Sequence, residues 1–205
     1  MKRKYLVAIA GGVVLFGCAT YDAPTREETM QVVKSSFRER GIAKLDRLDQ
    51  SEIQTACSEA SLTGKDLPKD VRARLEKAAL ATIKLPADGV YLGDFKQGER
   101  IAQTGVGLQW SDTEKTVAGG NCYACHQIGP QEIAFGNIGP SLRNYGKQRG
   151  NSKEVMTYTW GKLWNSHAYN ACSQMPRYGD ANILTTAQLK DLMALLLDPN
   201  SPVNK

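Results

Sequence analysis

Along this chain the apolar positions first form one unbroken run and then settle into helical stripes. The run is Tyr5 to Gly17, apolar or small throughout and preceded by the basic Lys2, Arg3 and Lys4. It has the shape of an export signal and is too short to span a bilayer. Met30, Val33, Phe37 and Leu45 then mark a helical segment over residues 25–50, opened by a Thr25–Glu28 capping box and open to interruption at Gly41. Val71, Leu75, Ala78, Ala79 and Thr82 predict a second helix between Pro68 and Pro86. A short helix is expected over Phe95 to Thr104, with Gly98, Ile101 and Ala102 on one face, and Asn151 with Glu154 predicts the start of another through Trp160. The last helix carries the fullest set of local signals. Thr185 caps it, Gln188 completes the box, and Leu184 and Leu189 form a hydrophobic staple. Leu189, Leu192, Met193 and Leu196 share one face, and Pro199 lies beyond the end. The pattern predicts an all-α fold.

Composition narrows this little. With 41% hydrophobic and 23% charged residues the chain is ordinary for a soluble globular protein, which excludes a disordered chain, a fibre or a repeat array. Charge does change the picture. The chain has 26 basic and 21 acidic side chains, and removing Lys2, Arg3 and Lys4 with the signal leaves 23 against 21. The basicity is largely the export signal, so no nucleic-acid partner is implied. The signal ends in Leu15-Phe16-Gly17-Cys18, which resembles a lipoprotein processing site with Cys18 as the lipidated first residue. Phe16 is unusual for that pattern, and ordinary cleavage near Ala19 is the alternative. The first outcome gives a periplasmic protein tethered to a membrane through Cys18, the second a free periplasmic one.

The remaining cysteines are Cys57, Cys122, Cys125 and Cys172. Cys122 and Cys125 stand in Cys-Tyr-Ala-Cys-His, the attachment pattern for one covalently bound haem c. Two thiols three positions apart can each form a thioether to a vinyl group on one porphyrin edge. His126 then follows directly as the proximal iron ligand. A zinc site would need a further Cys or His pair, and the only other histidine is His167. A redox Cys-x-x-Cys would sit at a strand-to-helix junction, which this neighbourhood does not resemble. In an oxidising compartment the spare Cys57 and Cys172 are expected to pair, with free or partner-linked thiols as the alternative.

A second axial ligand decides between electron transfer and gas binding. Met30, Met156 and Met193 fall within helical patterns and are better explained by packing. Met175 precedes Pro176 in a loop rich in turn residues, Asn170 to Gly179. Proline there keeps Met175 out of the helical region, which suits presenting a thioether to iron. His167 is the rival, though a lone histidine is more often hydrogen-bonded than a ligand. Cys172 is a weaker option.

The order Cys-x-x-Cys-His, Ile138-Gly139-Pro140-x-Leu142, Met175-Pro176 and a terminal amphipathic helix resembles class I cytochromes c. The resemblance implies a class I cytochrome c-like domain, placed at 89–205, after an export signal at 1–18 and a helical N-terminal extension at 19–88. It also implies that the Pro140 carbonyl accepts from the proximal imidazole, orienting His126 and raising its basicity. A narrower resemblance joins Asn121 to His126, Asn137 to Leu142, Cys172 to Gly179, Ile183-Leu184-Thr185, Asp191 to Pro199 and Ser201 to Asn204. These segments are similar to the SoxX family, the small haem subunits of SoxAX complexes in bacterial sulfur oxidation. The similarity covers 89–205 and is weak over 20–88.

What that resemblance implies is an electron-transfer subunit of an L-cysteine S-thiosulfotransferase complex. A SoxA-like cytochrome subunit would carry the bond-forming chemistry, joining thiosulfate to a cysteine of the carrier protein SoxY. This chain would supply His126 and Met175 as iron ligands and no catalytic residue, and would hand electrons to a downstream cytochrome c. Two further readings stay open. A free-standing periplasmic electron carrier should show a charged ring at the haem edge, whereas an obligate subunit should show an apolar patch. A gas-binding or peroxidatic sensor would need an open or labile distal position.

Overall fold

The computed structural model describes residues 23–205; the export signal and Cys18 lie outside the described residues. The chain divides at residue 36 into two units. In the first, α1 (Arg26–Ser36) begins as expected: the Thr25 hydroxyl accepts from the Glu28 backbone at 3.2 Å and the Thr25 backbone donates to the Glu28 carboxylate at 2.8 Å. The helix stops at Ser36 instead of running towards residue 50.

The second unit opens with a segment held by distant residues. Gly41 has φ +53°, and a side chain there would press on the Trp110 carbonyl. Arg40 lies 3.7 Å over the Trp110 ring, and Arg47 donates to the carbonyls of Leu108 and Ile42. This tertiary anchoring overrides the local helical pattern, leaving only a 3-10 turn at Leu45–Leu48. Two helices then form a small layer. The first, α2 (Glu52–Thr63), which was not among the expected helices, has a Ser51–Gln54 capping box and the left-handed Gly64 after it. The second, α3 (Lys69–Leu80), starts after Pro68 as expected. Ile53, Leu67 and Leu75 bury themselves against Ala171, with Ala56, Ala60 and Val71 alongside. Here the expected Cys57–Cys172 disulfide is present, its Cα atoms 5.5 Å apart and 115 residues apart in sequence. A loop of that length stabilises by about 4–5 kcal/mol in the chain-entropy account.

The main core is built by α4 (Phe95–Gln103), α6 (Lys153–Trp164) and α7 (Thr186–Leu197), with the short α5 (Tyr145–Arg149) between. Helix α7 has the Thr185–Gln188 box expected of it, and Leu189, Leu192, Met193, Leu195 and Leu196 are buried along it. The cap of α6 is Ser152, one residue past Asn151; its hydroxyl accepts from Val155. Trp160 is wholly buried and donates its indole N–H to the Lys84 carbonyl at 2.8 Å, which ties the segment after α3 to this core. At the C-terminus Asn204 accepts from Gly146 at 2.8 Å and donates to the Leu196 and Asp198 carbonyls, both at 3.0 Å. Among the described residues the only extended pairing is an isolated bridge between Arg40 and Ala43, so the fold is all-α.

Helices α4 and α7 approach closely because Gly98 faces the other backbone. A Cβ at Gly98 would overlap the Asp191 carbonyl and meet Leu195 Cβ at 3.0 Å. Gly98→Ala gains about 1 kcal/mol of helix propensity, and prying the backbones apart costs more, about 1–3 kcal/mol. Urea unfolding is therefore expected to show a less stable variant; a more stable one would mean the crossing has slack.

Candidate haem-binding site

The attachment turn grows out of the end of α4. Gly120 donates to the Ile101 carbonyl at 2.8 Å and Asn121 to that of Thr104 at 2.9 Å, satisfying acceptors that the helix end leaves open. Asn121 takes the left-handed conformation, φ 48°, a role asparagine tolerates. From there Cys122–Ala124 form one 3-10 turn, and the backbone N–H groups of Cys125 and His126 both donate to the Cys122 carbonyl, at 3.1 and 2.9 Å. The two thiols and the imidazole thus come from a single compact turn.

His126 is oriented from the opposite loop. Its Nδ1 lies 2.7 Å from the Pro140 carbonyl, as the resemblance implied. A carbonyl can only accept, so Nδ1 carries the proton and Nε2 keeps its lone pair for a metal. The two loops are zipped together: Gly139 donates to the Cys125 carbonyl at 2.9 Å and Leu142 to that of Gln127 at 2.8 Å. Gly139 is required sterically, because a Cβ there would fall on the imidazole ring itself. Cys122 and Cys125 are not joined in a disulfide. Two available thiols plus an imidazole with Nε2 free is the donor set that a covalently attached haem needs, so these residues fit the group. Among the described residues no three His, Cys, Asp or Glu side chains converge to hold a bare metal ion.

Beneath the turn lies a hydrogen-bonded network. Tyr123 is buried; its hydroxyl donates to Glu99 at 2.8 Å and accepts from the Gly129 backbone at 2.9 Å. Tyr178, also buried, donates to the Gly120 carbonyl at 2.5 Å. Burial raises the pKa of both phenols, and it pushes the Cys122 thiol up to about 11. The phenols therefore remain donors at all physiological pH values.

Met175 sits half-buried in the irregular loop, packed on the same core as Cys122 and Leu142. Its backbone is fixed on both sides: the wholly buried Ser166 donates to its carbonyl at 2.6 Å, and its N–H donates to the Ser173 hydroxyl at 3.2 Å. Tyr178, three residues on, carries the link from this loop to the attachment turn. His167 is buried, with Nε2 3.2 Å from the Ser173 carbonyl, the hydrogen-bonded role. Of the other methionines, Met193 is fully buried in α7 and Met156 is half-buried in α6. Tyr178, Ser166 and the steric role of Gly139 were not found by reading the sequence, because each acts across the fold.

The family described as Cytochrome c matches residues 96–198, from the second residue of α4 to the residue after α7. The chain is also 34% identical over 215 aligned positions, spanning all of both chains, to an uncharacterised lipoprotein of Aquifex aeolicus (strain VF5).

Two expectations arise from the site. Met175→Ala should abolish the far-red charge-transfer band of a Met-ligated ferric haem; an unchanged band contradicts Met175 as ligand. Burial, reinforced by the nearby charge of Arg177, lowers the pKa of His167 in the folded protein. The unfolded chain then binds the proton more tightly, so stability should fall as pH drops below about 6.5 and level off above it. His167→Gln should flatten part of that dependence in urea titrations; an identical slope would remove His167 from the account.

Proposed function

The chain belongs to the cytochrome c family and carries a covalently attached haem c with its iron, and we propose that it is the electron-transfer subunit of a SoxAX-type complex. Haem-based electron transfer is the family's chemistry. In the proposed reading the haem is held by thioethers at Cys122 and Cys125 and supplies reversible one-electron chemistry. The chain's own residues tune it. Pro140 holds the Nδ1 proton of His126 and so strengthens Nε2 as a donor. Met175 would supply a thioether ligand, which would favour the reduced state as an electron acceptor requires. His126 and Met175 would together hold the iron, and in this reading substrate chemistry belongs to a SoxA-like partner. There thiosulfate and a SoxY cysteine thiol form one S–S bond, releasing the thiol proton and two electrons. This subunit takes the electrons singly and passes them to a downstream cytochrome c.

The observation that carries the subunit reading is the loop between His126 and Pro140. Ile133 is 90% exposed, Ile138 76% and Phe135 42%, and Glu132 is the loop's single charged residue. An apolar surface of this kind suits a lasting protein partner, whereas a diffusing carrier would be expected to ring its haem edge with charge. In the same reading residues 89–205 are the haem domain, 19–88 its extension and 1–18 the export signal. The lipoprotein relative supports a lipid on Cys18, which would hold the protein at the periplasmic face of a membrane. No helix among the described residues is long and apolar enough to cross one.

The test is affinity purification of the tagged cytochrome from its native host grown on thiosulfate. A stoichiometric second cytochrome, with thiosulfate-dependent reduction by the pair, is expected. Recovery as a stable monomer that accepts electrons from respiratory donors alone would replace the subunit reading with the free-standing carrier.

A further inference from the structure

We propose that the α2–α3 layer is a positioning device for the Met175 loop, acting through Cys57, Leu75 and Glu76. The proposal rests on Met175 being the distal ligand and adds what keeps it there. On the proximal side His126 follows a covalently attached cysteine and is hydrogen-bonded by Pro140. The distal side has no such local hold. Met175 lies in a loop without regular structure, and a thioether is a weak donor, so the loop's own freedom opposes ligation.

The layer removes that freedom at several points along the segment. The Cys57–Cys172 disulfide fixes the chain three residues before Met175 and is the only disulfide among the described residues. Next to it, the Ala171 N–H donates to the Glu76 carboxylate at 3.0 Å, and the Ala171 methyl is buried among Ile53, Leu67 and Leu75. Further back, Asn165 donates to the Thr82 hydroxyl at 3.0 Å, just before the Ser166–Ala168 turn that packs on α3. Ser166 of that turn donates to the Met175 carbonyl. The contacts therefore run from the layer to the backbone of Met175 itself, through one covalent bond, one charged acceptor and one apolar plug.

The experiment uses the mature haem-bearing protein. Cys57→Ser with Cys172→Ser, and separately Glu76→Ala, are compared with the unaltered chain in three readouts: the far-red band of the ferric form, the reduction potential, and carbon monoxide binding to the reduced form, which requires the iron–sulfur bond to open. The proposal expects a weakened band, a lower potential and carbon monoxide binding faster by about tenfold or more, on the scale of losing one clamping interaction. Glu76→Gln, which keeps an acceptor oxygen, should restore all three. If the cysteine pair fails to accumulate, the Glu76 variants decide the matter alone. Wild-type values in all three readouts for Glu76→Ala and the cysteine variant would overturn the positioning role while leaving Met175 as ligand intact. Wild-type values in Met175→Ala would overturn the ligand reading and the positioning role together.

Discussion

The hydrogen bond between His126 Nδ1 and the Pro140 carbonyl is the interaction on which the rest of the site depends. It commits the imidazole proton to one nitrogen, and so decides which nitrogen is left for iron. It can form only because Gly139 has no side chain to displace the ring, and because the backbone pairs Gly139–Cys125 and Leu142–Gln127 hold the two loops in register. Those loops hang in turn from the end of α4, whose close crossing with α7 is set by Gly98. A chain of short-range constraints thus leads from a helix–helix contact to the tautomer of one histidine.

The two cores divide the work between them. The larger one carries the attachment turn, through Tyr123 and Ile128, and the inner face of α7. The smaller one is built by α2 and α3 and touches the loop of Met175 through Ala171. If Met175 is the distal ligand, as proposed, the two sides of the haem would be held by separate cores, which suits electron transfer because little reorganisation should then accompany a change of oxidation state. The exposed apolar residues between His126 and Pro140, the partner face proposed above, belong to neither of these contacts.

Much of this was legible in the sequence where the signals are local. Helix α7 could be read because cap, box, staple and stripe all lie within fifteen or so residues of one another. Cys122, Cys125 and His126 could be read because haem attachment chemistry demands that spacing, and Cys57 with Cys172 because two spare cysteines in an oxidising compartment usually pair. The failures were of two kinds. Helix α2 was overlooked although Ser51, Gln54 and Gly64 carry the usual start and stop signals, because beside Ile53 its inner stripe is made of the small residues Ala56, Cys57 and Ala60, a weak apolar signal. An interruption at Gly41 was legible, but not that the helix already stops at Ser36 or that Trp110 and Leu108, far along the chain, hold the segment after it. Within the site, Tyr178, Ser166 and Glu76 escaped for the same reason: each is an ordinary polar residue until the fold brings its partner near.

The central claim, that this is a cytochrome with His126 and Met175 holding one covalently attached haem, is tested most directly by labelling the methionine methyl groups with carbon-13 and recording the reduced protein by NMR. A methyl bound through its sulfur to haem iron lies over the porphyrin, whose ring current displaces its resonance far to high field. The account predicts one such displaced methyl, assigned to Met175, with Met30, Met156 and Met193 at ordinary positions. Ordinary positions for every methionine methyl, or a displaced resonance belonging to another methionine, would contradict it.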